Sequence, residues 1–188
     1  MLAKVTQMKL IATAIPDVVI LEPQVYGDAR GFFTESYNKM RLNIVLDRKL
    51  DFVQDNHSRS TANVLRGLHY QIKRTQAKLV RAIRGRIFDV AVDLRRSAPT
   101  FGQWVGVELS EDNQRQLWIP EGFAHGFLVL SDGADVLYKT TDYYVPEHEC
   151  CLRWDDPAVD IDWPLQGDPV LSRKDLEGVS LSEAPCFD

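Results

Sequence analysis

From residue 78 to residue 144 the sequence is a series of short β-branched and aromatic runs. Each is cut off by a turn signal about ten residues after the last. "KLVRAI" (78–83), "RIFDVAVDL" (86–94), "QWVGVEL" (103–109), "RQLWIP" (115–120), "AHGFLVL" (124–130) and "DVLYKTTDYY" (135–144) alternate with "RGR", "SAPTFG", "SEDN", "PEG" and "SDGA". Two earlier runs, "DVVIL" (17–21) and "RGFFTES" (30–36) after a "YGDA" turn, extend the pattern toward the N-terminus. Many short strands at this spacing indicate a sandwich or barrel, so the chain is expected to be mainly β, best read as a jelly roll. Two short helices fit. One lies in 37–47, where Tyr37, Met40 and Ile44 share a face. The other begins at "LSRKDLEG", with Ser172 as its N-cap. With no repeat or linker, residues 1–188 read as one domain with an N-terminal strand arm and a short C-terminal helical tail.

The run 86–94 says more than its propensity. Phe88, Val90, Val92 and Leu94 form one wholly apolar face, while Ile87, Asp89, Ala91 and Asp93 form the other. Carboxylates on a core strand fit a barrel interior with a polar pocket, or else plain solvent exposure of that face. Two neighbouring runs favour the pocket. His125 alternates with Phe123, Phe127 and Val129, and Tyr138 with Val136 and Thr140. Ionisable groups thus point where apolar side chains point, the pattern of a reactive cavity.

Bulk properties remove several functions. A net charge of −5 argues against binding duplex nucleic acid through overall charge. No apolar run reaches the ~20 residues that span a bilayer. The N-terminal stretch is broken by Lys9 and Pro16, unlike a signal peptide. Cys150, Cys151 and Cys186 are odd in number and sit in a poorly patterned stretch expected to be exposed, so they make no disulfide framework. A cytoplasmic protein is expected. The four histidines, His57, His69, His125 and His148, form no H-x-H or H-x-x-H pair, and no metal or cofactor is expected. There is no G-x-S-x-G elbow, P-loop or dinucleotide fingerprint.

What remains is acid–base chemistry. In "RGLHYQ" (66–71) an extended chain puts His69 and Gln71 on one face and Leu68 and Tyr70 on the other. His69 is a base of neutral range, Tyr138 an acid, Lys78 a cation, and carboxylates are at hand. Proton abstraction beside a carbonyl needs such parts. Taken singly, each has a plainer reading. His69 can be structural, Tyr138 a core tyrosine and Lys78 a solvated strand lysine. Asp175 fits the acid of a capping box, Ser172-x-x-Asp175.

Their contexts decide otherwise. "DARGFFTESY", "FVQDNHSRS", "VLRGLHYQ", "QAKLVRAIRGRIFDVAVDLRRSAPTFGQW", "QLWIPEGFAHGF", "YKTTDYY", "WDDP" and "LSRKD" occur in order over about residues 17–176. In this series the chain resembles the dTDP-4-dehydrorhamnose 3,5-epimerases, metal-independent enzymes with a cupin-type double-stranded β-helix and usually homodimers. The resemblance implies a dTDP-4-keto-6-deoxyglucose substrate, inverted at carbons 3 and 5 to dTDP-4-keto-L-rhamnose. It makes His69 the base, Asp175 its orienting carboxylate, Tyr138 the acid and Lys78 the group near the enolate oxygen. It also implies ligand contacts from Arg30 and Glu35, reaching the nucleotide across a dimer, and from Gln54, Asp55, Asn56, Arg66, His125, Tyr144, Glu149 and Lys174. A nucleotide-sugar epimerase that inverts one centre, or a silent nucleotide-sugar-binding cupin, would share many of these residues.

Overall fold

A computed structural model of the chain describes residues 8–188, so the first seven residues of the expected N-terminal arm lie outside it. Strands β1 (Met8–Ala12), β2 (Val19–Pro23), β3 (Val25–Asp28) and β4 (Gly31–Thr34) come first, followed by helix α1 (Lys39–Leu46). Then come β5 (Gln54–Thr61), β6 (Leu65–Gln71), β7 (Lys78–Arg84), β8 (Arg86–Asp93) and β9 (Trp104–Ser110). The last are β10 (Gln116–Ile119), β11 (Phe123–Val129), β12 (Gly133–Thr140), β13 (Glu149–Cys151) and helix α2 (Arg173–Leu176). One sheet has the order β1-β2-β10-β7-β12-β5, the facing sheet β13-β6-β11-β8-β9, and β3-β4 is a separate ribbon. This is the expected jelly roll of the cupin type.

Alternation along the strands builds three apolar layers. Between the sheets lie Val80, Ala82, Leu117, Ile119 and Val136 from one side and Ile87, Ala91, Val107, Leu109 and Phe127 from the other. The outer face of the five-stranded sheet carries Leu65, Leu68, Tyr70, Val90, Val92 and Leu128. It is roofed by the C-terminal segment through Leu152, Val159, Trp163 and Ala184. The wholly apolar face of 86–94 therefore packs under that roof, and its mixed face is the one that looks into the barrel. Asp89 and Asp93 are both fully buried there. Asp93 is structural: its carboxylate accepts from Arg95 and from Thr100.

Several boundaries and faces differ from expectation. The predicted helix stripe of Tyr37, Met40 and Ile44 is not the buried one. Tyr37 precedes the N-cap Asn38, and Met40 and Ile44 are exposed. Leu42, Val45 and Leu46, at i, i+3 and i+4, instead press onto Trp118 and Leu79. The last run stops as a strand at Thr140, leaving Tyr143 and Tyr144 in a loop. Strands β3, which takes in most of the expected "YGDA" turn, β5 and β13 were not expected. β5, "QDNHSRST", has no apolar residue to reveal it. Cys150 and Cys151 are half-buried on β13, contrary to the exposed region expected for them.

Candidate active site

The site is built where β6 departs from regular pairing. His69 faces His125 of β11, but the next recorded pair is Arg66 with Phe127, so β6 holds one extra residue. The extra residue adjoins Gly67. Its φ is +123°, and a Cβ there would lie 2.5 Å from the Gly126 Cα. The bulge explains how Arg66 and His69, three apart, both line one cavity of about 180 Å³. Lys78, His125, Tyr138, Tyr144 and Glu149 line it too. His69 and His125 come from one sheet, Lys78 and Tyr138 from the other.

Asp175 joins them from the first turn of α2. It completes the expected capping box with Ser172, and the same carboxylate reaches the histidine. Oδ2 accepts from Ser172 N at 3.1 Å and Ser172 Oγ at 2.6 Å. Oδ1 accepts from Gly67 N at 3.1 Å and lies 2.8 Å from His69 Nε2. The imidazole approaches that oxygen off-axis, so the pair is close without an in-line hydrogen bond. Nε2 is thus the ring nitrogen on the Asp175 side. Burial works to raise the Asp175 pKa, but His69, Ser172 and the Gly67 N–H outweigh it and bring it down to about 2.

Lys78 is buried, and its Nζ donates to the His69 carbonyl at 3.1 Å. Burial pushes its pKa down to about 8, partly countered by the Asp89 and Glu149 carboxylates. Burial raises the Tyr138 pKa, and among the described residues its hydroxyl has no side-chain or backbone partner, so it stays protonated and free to donate. Glu149 binds Lys174 through one oxygen and accepts from the Tyr144 hydroxyl at 2.6 Å through the other. That bond pushes Tyr144 up to about 12. Gln54 reaches the same corner by accepting from the Tyr144 N–H at 3.0 Å.

Not every expected residue converges. Asp55 and Asn56 line a second depression of about 320 Å³, which shares Tyr138 as a wall, and Asp55 is paired with Lys139. Arg30 stands exposed at the β3–β4 turn, bonded to Asp28, and Glu35 pairs with Arg41. None of these lines the cavity of His69.

The family model described as dTDP-4-dehydrorhamnose 3,5-epimerase matches residues 12–183. The chain belongs to the dTDP-4-dehydrorhamnose 3,5-epimerase family. It is 61% identical over 180 residues to the dTDP-4-dehydrorhamnose 3,5-epimerase of Pseudomonas aeruginosa, covering 96% of this chain and 99% of that one. To the Salmonella typhimurium enzyme of the same name it is 58% identical, over 94% and 97% of the two chains. A crystal structure of a dTDP-6-deoxy-D-glucose-3,5-epimerase from Legionella pneumophila, in complex with dTDP-4-keto-L-rhamnose, superposes with a TM-score of 0.92. That chain is 55% identical, with 94% of each chain covered.

Within this epimerase fold one functional group escaped sequence reasoning. Asp89 Oδ1 lies 2.8 Å from His125 Nε2, and both are buried. Burial holds the His125 pKa below its usual value, so the ring is neutral, and Asp89 holds its proton on Nε2. The only signal for Asp89 was a carboxylate on the mixed face of a core strand. Among the described residues one set could hold a cation: His69, Cys151 and Asp175, whose ligand atoms all lie within 4.8 Å of one another. Burial first, then the nearby Asp175 charge, pushes the Cys151 thiol up to about 12.

Proposed function

We propose that the protein is a dTDP-4-dehydrorhamnose 3,5-epimerase that takes dTDP-4-keto-6-deoxy-D-glucose to dTDP-4-keto-L-rhamnose. The observation that carries this is the placement of a carboxylate-backed histidine and a free tyrosine on facing sheets of one cavity, with a buried lysine beside them. His69 Nδ1 removes a proton from the carbon next to the C4 ketone. The Lys78 ammonium stabilises the enolate oxygen, where a cation in a dry site acts strongly. Tyr138 returns a proton from the other wall, so the configuration inverts. Repeating the cycle on the other side of the ketone inverts the second centre. No step calls for a metal or cofactor. Arg66, His125, Tyr144, Lys174 and Gln54 hold the sugar and diphosphate, cations and donors suiting an anionic ligand, and the Glu149 carboxylate contacts the ligand while positioning Lys174 and Tyr144.

The remaining contacts come from a second copy. The β3–β4 ribbon exposes Tyr26, Phe32 and Phe33 beside Arg30, an apolar surface suited to burial in a homodimer. Arg30 and Glu35 then serve the partner's nucleotide, and Asp55 and Asn56 line the depression next to Tyr138. A sedimentation run that returns only monomer overturns this part. No described helix is long and apolar enough to cross a membrane, which supports action in the cytoplasm.

Turnover in deuterated water tests the reaction: label is expected at both carbons 3 and 5. Label at carbon 3 alone would make the protein a single-centre epimerase. A pH profile tests the lysine. The ammonium is lost as the pH rises through about 8, so kcat/KM is expected to fall on the alkaline side near that value. Lys78→Arg should abolish that limb, because guanidinium stays charged to pH above ~12. An identical limb in the variant would remove Lys78 from the role.

A further inference from the structure

Beside the proposed base and its carboxylate lies a third donor, Cys151, that the epimerisation does not use. Cys151 of β13 is the direct register partner of His69 on β6, so the two side chains emerge on the same side of the sheet. Asp175 reaches the same spot from α2, and one imidazole nitrogen, one sulfur and one carboxylate oxygen lie within 4.8 Å of one another. The elements carrying them are tied together. Leu152 N donates to the Leu68 carbonyl at 2.9 Å, and Leu68 N donates to the Leu152 carbonyl at 3.1 Å. The carboxylate is already fixed by Ser172 and Gly67 N–H bonds, the outer support that ligating carboxylates need. His69 Nε2 is buried without a well-aligned hydrogen bond. The sulfur makes only a long contact with the Leu152 carbonyl, at 3.7 Å.

We propose that His69, Cys151 and Asp175 form a binding site for a zinc-class divalent cation, and that its occupancy silences the base. Mixed nitrogen, sulfur and oxygen donors suit zinc rather than magnesium or calcium, which take oxygen ligands. Three protein ligands leave a fourth position open toward the cavity that His69 lines. A thiolate and a carboxylate balance the two positive charges, and the thiol proton leaves when the metal enters. A ring whose Nε2 is ligated to zinc stays tied to the metal and is no longer free to cycle protons beside a ketone. The site is thus an off-switch that needs Cys151, a residue with no part in the proposed chemistry. The inhibitory half rests on His69 being the base.

The test uses the full-length metal-free protein with cobalt(II) as a spectroscopic probe and zinc as inhibitor. One equivalent of cobalt is expected to give a near-ultraviolet thiolate charge-transfer band, and zinc to inhibit turnover reversibly by chelator. Cys151→Ser should keep basal turnover, lose the band and weaken zinc inhibition at least ~10-fold. Cys150→Ser should behave like the parent. Absence of a thiolate band, or a band and inhibition unchanged in Cys151→Ser, overturns the site. A band that requires Cys151 while turnover is untouched supports the site and refutes His69 as the base.

Discussion

Replacing His69 by alanine is expected to lower kcat by about 10³-fold or more, the upper part of the range for removing a positioned acid–base group. Thymidine diphosphate should still bind within about threefold, less than ~0.7 kcal/mol. The split follows from the geometry. His69 is one of several residues lining the cavity, whereas the cationic and polar groups suited to a diphosphate, Arg66, Lys174 and Gln54, sit on other side chains and survive the change. The fold should survive as well, since the ring is not in any of the three apolar layers. Turnover and calorimetric nucleotide binding on the same preparation decide it. Undiminished turnover would remove the base from the mechanism, and lost binding would show that the imidazole mainly organises the pocket.

The second large effect falls on Gly67. Any side chain there meets backbone on two counts: Gly126 Cα at 2.5 Å and the His125 carbonyl at 2.8 Å. The φ of +123° also belongs to a region that L residues rarely enter. Gly67→Ala is expected to cost about 3–4 kcal/mol, a loss of roughly 10 °C in Tm for a chain this long. Because the bulge aims both Arg66 and His69, residual folded protein should also lose activity. Gly167→Ala is the control. Its φ is +84°, but nothing lies within 4 Å of the added methyl, so it should cost only about 1 kcal/mol. Equal losses in the two variants would show that backbone conformation, not the contact between β6 and β11, is what Gly67 protects.

How much of this was legible without coordinates varies with the kind of signal. Apolar alternation found the strands that line the barrel, and it placed His125 and Tyr138 among inward-pointing residues because their neighbours are apolar. It could not find β5, whose eight residues are all polar, although its edge position and pairing to β12 make it a full strand. For 86–94 the strand alone left its mixed face between barrel and solvent, and only the neighbouring runs pointed it inward; both faces are buried. One lies under the C-terminal roof and the other in the barrel. The helix at 37–47 was placed well but turned wrongly, since Met40 and Ile44 make as good a stripe as Leu42, Val45 and Leu46 until a sheet chooses between them.

Site residues divide in the same way. Asp175 read locally as a cap, and it is one. Its other contact spans more than a hundred residues to His69 and leaves no trace in local spacing. The link between Arg66 and His69 was hidden for a different reason. A strand of period two puts residues three apart on opposite faces, and only the bulge brings them together. Arg30 and Glu35 lie away from the cavity and pair with Asp28 and Arg41 in the single chain, so a ligand role for them rests on the proposed second copy.

The capping box at the start of α2 has a consequence for biosynthesis. During translation the barrel strands, β6 to β12, emerge well before residue 172. They can pair and enclose the cavity while the histidine still lacks its carboxylate. Chains lengthen at about 5–20 residues per second, so the growing protein passes through seconds in which the pocket exists but its chemistry does not. In the proposed mechanism the base gains its carboxylate from the same few residues that start the last helix.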